Sequence, residues 1–206
     1  NGVTARRVVL AVTGGIAAYK ACEVVRRLRE HEVDVRVAMT RSATRFVGTH
    51  TFAALSGHRV VDDLWRDERP EEIAHVRWAE RCDLFLVAPA TADFLAKMAH
   101  GIADDFPSTL HLAVAGAVLV GPAMEDERRR HPAVAANVAT LQARGVQLVG
   151  PGSGALASGR NGPGRMAEPA EIVEAALRLL EGASTDRWLA GRKVLISAGP
   201  TWEAID

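Results

Sequence analysis

The chain has 206 residues, enough for one domain with a substantial core, and 48% of them are apolar, an ordinary share for a globular fold. Lys and Arg together number 25, as do Asp and Glu, so the formal net charge is zero. That balance supplies neither the basic field expected of a nucleic-acid binder nor an acidic tail, and no stretch approaches the ~20 apolar residues of a membrane span. Arg6-Arg7 before Val8–Val12 falls short of a signal peptide, because the apolar run is brief and ends in glycines. The two cysteines, Cys22 and Cys82, lie far apart without metal-ligand spacing and are expected to be buried thiols. The expected compartment is cytoplasmic, with no nucleic acid, no membrane and no metal.

Strands and helices alternate along the chain. Val8–Val12 is apolar and mostly β-branched, as in a strand covered on both faces. Gly14-Gly15 then allows a tight turn, and a helix is predicted from about Ile16 with Ala17, Ala18, Ala21, Val24, Val25 and Leu28 on its buried side. Val33–Met39 is the second strand, followed by a helical stretch towards Leu55 that Ser56-Gly57 ends. Trp65–Glu72 is polar and predicted to be a loop, and Ile73–Glu80 a short helix. Leu84–Ala88 is a strand, Pro89–Asp93 begins a helix running to about His100, and Ala103–Ala115 is helical with Asp104 or Asp105 near its start. Ala117–Val120 is the next strand, ending at Gly121-Pro122; His131–Arg144 is helical and Val146–Val149 a further strand. Pro169–Leu180 closes the alternation as a helix with proline at its start. Uninterrupted apolar strands alternating with helices predict an α/β fold with a single doubly wound parallel sheet.

Two regions break the pattern. Gly150–Gly164 holds six glycines in fifteen positions and is predicted to be a long loop, either a flap over a site or a plain surface loop. Gly182–Asp186 has the composition of a linker, after which Lys193–Thr201 restarts as strand plus turn, like the opening of another α/β unit. The turn at Thr13-Gly14-Gly15 places backbone N–H groups and a helix N-terminus at the carboxyl end of a strand, where a phosphate can be held. Its spacing is neither GxGxxG nor GxxxxGK[ST], which argues against standard dinucleotide or P-loop binding. A ligand-free strand–glycine–helix turn is equally common.

Several motifs in one order resemble the flavin-dependent cysteine decarboxylase family, which includes phosphopantothenoylcysteine decarboxylases and peptidyl-cysteine decarboxylases. The similarity covers about residues 7–181. Thr13–Ala17 is similar to the family's first flavin-phosphate turn, and Thr40-Arg41-Ser42-Ala43 to its second phosphate and ribityl contact. Ile73–Val76 resembles the segment with the catalytic histidine, here His75. Pro89-Ala90-Thr91-Ala92-Asp93 is similar to a flavin-binding Pro-Ala-Ser-Ala-Asn-Thr signature, and Gly101–Asp105 with Ser108–Leu110 continues the match. The resemblance implies a flavodoxin-like Rossmann fold and FMN held by Gly14, Gly15, Ile16, Thr40, Ser42, Phe46, Pro89, Ala90, Thr91, Ala92, Asp93, Ser108 and Ala123. It further implies a homo-oligomer, trimer or dodecamer, with FMN at subunit interfaces. Residues 1–181 would form the flavin-binding decarboxylase domain. Residues 182–206 would form a linker and a vestigial start of a synthetase-like domain, because Leu189–Asp206 resembles the synthetase half of bifunctional coenzyme A enzymes.

The family's chemistry needs an electron sink, because a cysteine carboxylate cannot lose CO2 onto an unstabilised carbon. Oxidation at the thiol end by FMN provides a thioaldehyde-like acceptor, and decarboxylation then leaves an enethiolate; the cofactor carries the difficult step. The resemblance makes His75 the acid–base group, a role suited to an imidazole near neutral pH. The substrate residues it implies are Met124, Glu125, Ala157, Ser158, Arg165 and Met166.

Two of these depart from the family. The clamp Pro-x-Met-Asn-x-x-Met-Trp is here Pro122-Ala123-Met124-Glu125-Asp126-Glu127-Arg128-Arg129, and an ionised Glu125 would repel a substrate carboxylate. Arg128, Arg129 or Arg165 could hold that carboxylate instead, Glu125 could be displaced or protonated, the site could be inactive, or Glu125–Arg130 could be a solvated face. Ser158 stands where phosphopantothenoylcysteine enzymes carry a proton-donating cysteine, and a hydroxyl is a far weaker acid than a thiol. The expected reaction is therefore oxidative decarboxylation of a peptide's C-terminal cysteine to an aminoenethiol. The alternatives are a phosphopantothenoylcysteine decarboxylase of coenzyme A biosynthesis and a non-catalytic flavin-binding regulatory subunit.

Overall fold

The computed structural model describes residues 6–65, 74–155 and 161–187. Its centre is a five-stranded parallel sheet of order β2-β1-β3-β4-β5, made of β1 (Arg7–Val12), β2 (Asp34–Met39), β3 (Leu84–Ala90), β4 (Ala117–Pro122) and β5 (Gln147–Leu148). In β1, Val8, Leu10 and Val12 enter one apolar cluster while Val9 and Ala11 enter the other. Both faces are covered, which is why the strands lack polar alternation.

The first cluster packs β1 and β3 against α1 (Ala18–Glu30) and α8 (Pro169–Arg187), through Ala21, Val24, Leu28, Ile172 and Ala176. The second takes Phe94, Leu95 and Met98 of α4 (Ala92–His100), Phe106 and Leu110 of α5 (Phe106–Ala113), and Leu141 of α7 (Pro132–Ala143). Trp78 of α3 (Ala74–Glu80) meets Phe106 edge to face, with ring centroids 5.3 Å apart. The remaining helices are α2 (Thr49–Ser56), preceded by a 3-10 turn at Ala43–Arg45, and α6 (Asp126–Arg130).

The doubly wound parallel sheet predicted from the alternation is present. Strand order reverses between β1 and β3, so the crevice beyond their carboxyl ends is the place where such a sheet leaves room for a ligand.

Several local expectations are corrected. Pro89 and Ala90 lie in β3 instead of opening a helix; Thr91, whose hydroxyl accepts the Phe94 N–H at 3.3 Å, caps α4. The helix expected over 103–115 shortens to Phe106–Ala113, set by a capping box between Asp105 and Ser108. The first helix begins at Ala18 instead of Ile16, and the last parallel strand contracts to Gln147–Leu148. The glycine-rich stretch is no structureless loop, because β6 (Gly152–Ala155) and β7 (Asn161–Arg165) pair as an antiparallel hairpin. The charge run 126–130 forms a helical turn, and α8 continues to Arg187, past the expected linker start at Gly182. Cys82 is buried as expected, with its thiol pushed up to about 12 by burial, whereas Cys22 is only half-buried.

Leu10 is fully buried at the centre of β1. Leu10→Ala is expected to cost about 3 kcal/mol in denaturant unfolding with an unchanged m-value, and a loss below about 1 kcal/mol would show that the site collapses freely.

Candidate active site

The crevice at the strand-order reversal is walled by the three turns that follow β1, β3 and β4, and by the hairpin. Thr13 joins the first two: its buried hydroxyl donates to the Pro89 carbonyl at 2.6 Å and accepts the Thr91 N–H at 3.1 Å. The Ala123 N–H then reaches the Ala90 carbonyl at 3.1 Å, and the Met124 N–H reaches the Gly164 carbonyl at 3.0 Å. These bonds run from β1 through β3 and β4 to β7.

Two glycines permit close approaches that a side chain would block. A Cβ on Gly14 would lie 2.3 Å from the Ser42 Cβ, so glycine there lets the turn after β1 touch the turn after β2. A Cβ on Gly164, whose φ is +132°, would lie 2.2 Å from the Met124 carbonyl oxygen. The strand β7 can therefore lie directly on the backbone that precedes α6.

The resulting cavity holds about 490 Å³. Of the residues singled out from the sequence, Gly14, Gly15, Ile16, Thr91, Ala92, Ala123, Met124, Glu125, Arg165 and Met166 line it. Ser42 and Phe46 line a separate hollow with Arg41 and Arg45, adjoining the cavity at the Gly14–Ser42 contact. Thr40 is buried, its hydroxyl accepting the Ala43 N–H at 3.2 Å. Pro89 and Ala90 are buried in β3, and Asp93 points outward, 3.7 Å from Lys97. Ser108 is committed to the α5 cap and does not line the cavity. His75 lies half-buried on α3, outside the cavity of its own chain. Ala157 and Ser158 lie outside the described residues.

The cavity also takes Ala17, Tyr19, Lys20, Arg128 and Gly164, of which only Arg128 had been weighed as a ligand. Lys20 is buried, and its Nζ lies 3.0 Å from Glu168, which also sits 3.3 Å from Arg165. One glutamate thus joins α1 to the foot of the hairpin, and its hydrogen bond from Lys20 holds its carboxyl below the ordinary range. The sequence signal for Lys20 was its place on the apolar stripe, directly before Ala21 and four residues before Val24. Arg129 is turned away: its Nε and Nη2 lie 3.1 and 2.8 Å from Asp126. Ile16, Tyr19 and Phe46 are 60%, 59% and 48% exposed around the opening.

Residues 3–181 match the family model described as Flavoprotein. The chain belongs to the flavoprotein family. This flavoprotein is 44% identical over 201 residues to the coenzyme A biosynthesis bifunctional protein CoaBC of Bacillus subtilis (strain 168), a match covering 98% of this chain and 49% of that protein. The chain thus spans about half the length of the curated relatives it matches. In structure it is similar to the FMN-dependent cysteine decarboxylase SpaF, with a TM-score of 0.77 and 31% identity, covering 87% of this chain and 97% of that one. It is also similar to a cysteine-to-serine variant of PPC decarboxylase complexed with pantothenoylaminoethenethiol, with a TM-score of 0.79 and 26% identity over 86% of this chain and 100% of that one. The flavoprotein has the fold of the flavin-dependent cysteine decarboxylases.

A carboxylate whose folded-state acidity is raised stabilises the fold above its unfolded pKa, and this contribution disappears as pH falls through its folded value. The thermal midpoint of the wild type is therefore expected to fall more steeply between about pH 5 and pH 3 than that of Glu168→Gln, in low-salt scanning calorimetry. Parallel pH profiles would mean that the Lys20–Glu168 contact contributes nothing in solution.

Proposed function

We propose that this chain performs the FMN-dependent decarboxylation of a cysteine-derived acid, and that phosphopantothenoylcysteine is its substrate in preference to a peptide ending in cysteine. The observation that carries this choice is the 44% identity to CoaBC across 98% of the chain, against 31% to SpaF. It turns the sequence-based preference for a peptide towards its alternative. Ser158 bears on how far the reaction goes and not on which substrate is bound: a cysteine-to-serine variant of PPC decarboxylase is complexed with pantothenoylaminoethenethiol, an enethiol that has not been reduced.

The residues present suit a flavin mononucleotide. The N–H groups of Gly14, Ile16 and Ala17 meet no acceptor among the described residues, and the N-terminus of α1 has no side-chain cap, a donor set that suits a phosphate. Gly14, Gly15 and Thr91 would hold that end, with Ser42 and Phe46 in the adjoining hollow. FMN, when bound, supplies the two-electron acceptor that lets the bond to the carboxylate break with its electrons drawn towards the oxidised sulfur-bearing carbon.

The chain's own side chains bind and orient. Met124 and Met166 supply apolar wall, while Lys20, Arg128 and Arg165 make the cavity favourable to an anion despite Glu125. His75 is proposed as the proton-handling group. Since α3 lies outside the cavity of its own chain, His75 is assigned in this reading to the site of a second copy, for which the exposed Ile16, Tyr19 and Phe46 offer apolar surface. Residues 1–181 are proposed as the decarboxylase domain and 182–206 as the start of a synthetase-like segment.

The purified protein is to be incubated aerobically with phosphopantothenoylcysteine and, separately, with a peptide ending in cysteine, and the products weighed by mass spectrometry. Loss of CO2 and two hydrogens from the first alone is the expected result, since Ser158 removes the family's proton donor for the return reduction. Turnover of the peptide alone would restore the peptide reading, and turnover of neither would overturn the decarboxylase assignment. His75→Asn is expected to keep its bound flavin and lose CO2 release; wild-type turnover in that variant would remove His75 from the chemistry.

A further inference from the structure

The cavity's charges are unequally committed. Lys20 and Arg165 share Glu168, at 3.0 and 3.3 Å. Arg129 and Arg130 share Asp126, at 2.8 and 2.7 Å. Arg128, directly before Arg129 in sequence, lines the cavity, and its guanidinium makes no hydrogen bond or ion pair with a described residue. Glu125, one turn earlier and also on the lining, has no side-chain partner among the described residues.

The position of Arg128 is set from two sides. Asp126 engages the two neighbouring arginines, so Arg128, exposed at the cavity, is the member of the run left uncommitted. The Met124–Gly164 backbone contact fixes the start of α6 against β7, so Arg128 and Arg165 reach one cavity from different elements. A planar guanidinium pairs with a carboxylate through parallel hydrogen bonds, which a point charge on lysine does not reproduce.

On the reading given under Proposed function, we infer that Arg128 is the specificity-determining residue that recognises the substrate carboxylate, the group that leaves as CO2. Glu125 cannot hold that anion, and the carboxylate instead spans Arg128 with Arg165 beside it. The interaction belongs to the ground state. As the carbon–carbon bond breaks, the carboxylate becomes neutral CO2 and its attraction to Arg128 fades. Arg128 therefore contributes to capture of the substrate and not to the rate of the bond-breaking step.

The test uses the flavin-loaded protein and two unreactive probes that differ only in the carboxylate: phosphopantothenoylserine, with hydroxyl for thiol, and phosphopantothenoylethanolamine. By titration calorimetry, Arg128→Gln is expected to weaken phosphopantothenoylserine about tenfold while changing the carboxylate-free probe less than about twofold. Arg128→Lys is expected to fall between, and flavin content to stay constant in both variants. In turnover, the same Arg128→Gln change raises KM about tenfold and leaves kcat unchanged or higher. Equal weakening of both probes, unchanged binding of both, or a fall in kcat with constant KM would each overturn the inference. If the wild type binds the carboxylate probe through Arg128 but turns over no cysteine acid, the recognition role stands and the proposed reaction falls. If the wild type binds neither probe, both fall.

Discussion

The hydroxyl of Thr13 is the point on which the site depends. It is buried where strand order reverses, and it donates to the Pro89 carbonyl at the end of β3 and accepts from the Thr91 N–H just beyond it. Removing it would leave that carbonyl and that amide without a partner, at about 1–3 kcal/mol for each group kept from water. The glycine turn after β1 and the α4 cap are thereby held in one geometry. The turn after β4 hangs from Ala90, and the hairpin hangs from Met124. Four segments far apart in sequence are connected by the Thr13 hydroxyl and by main-chain contacts, so the walls need little from the side chains that line the cavity.

That division leaves the lining free to vary in charge. Two carboxylates outside the lining, Asp126 and Glu168, determine which cations are available inside it. Asp126 has its acidity raised by Arg129 and Arg130, and Glu168 by Lys20 and Arg165, so both remain anionic at neutral pH. A sequence with three adjacent arginines thus delivers one of them to the cavity.

The parallel sheet was legible because covered strands must be apolar throughout, as in Val8–Val12 and Leu84–Ala88. The glycine turn after β1 was legible because Gly14-Gly15 sits between such a strand and an apolar helical stripe. Thr91 lines the cavity, but its place as the cap of α4 was not legible, because Pro89 and Ala90 continue the strand through tertiary pairing with β4 that no local propensity announces. The hairpin was missed for a related reason: glycine-rich strands carry no alternating pattern, and Gly164 serves a backbone contact with Met124 instead of a side-chain preference. Choosing among Arg128, Arg129 and Arg165 required three-dimensional knowledge of which carboxylate each one meets. The position of His75 outside its own cavity is likewise a matter of where α3 packs, against Phe106 of α5, and no spacing in the chain encodes it.

The two cysteines have a consequence for the company this protein keeps. Burial raises both thiols above their ordinary acidity range, Cys82 to about 12. At neutral pH neither supplies an appreciable thiolate, and thiolate is the species that attacks a disulfide or is captured as one. Beside a site proposed to take thiol substrates with an oxidant, neither cysteine is therefore a ready nucleophile for mixed-disulfide formation.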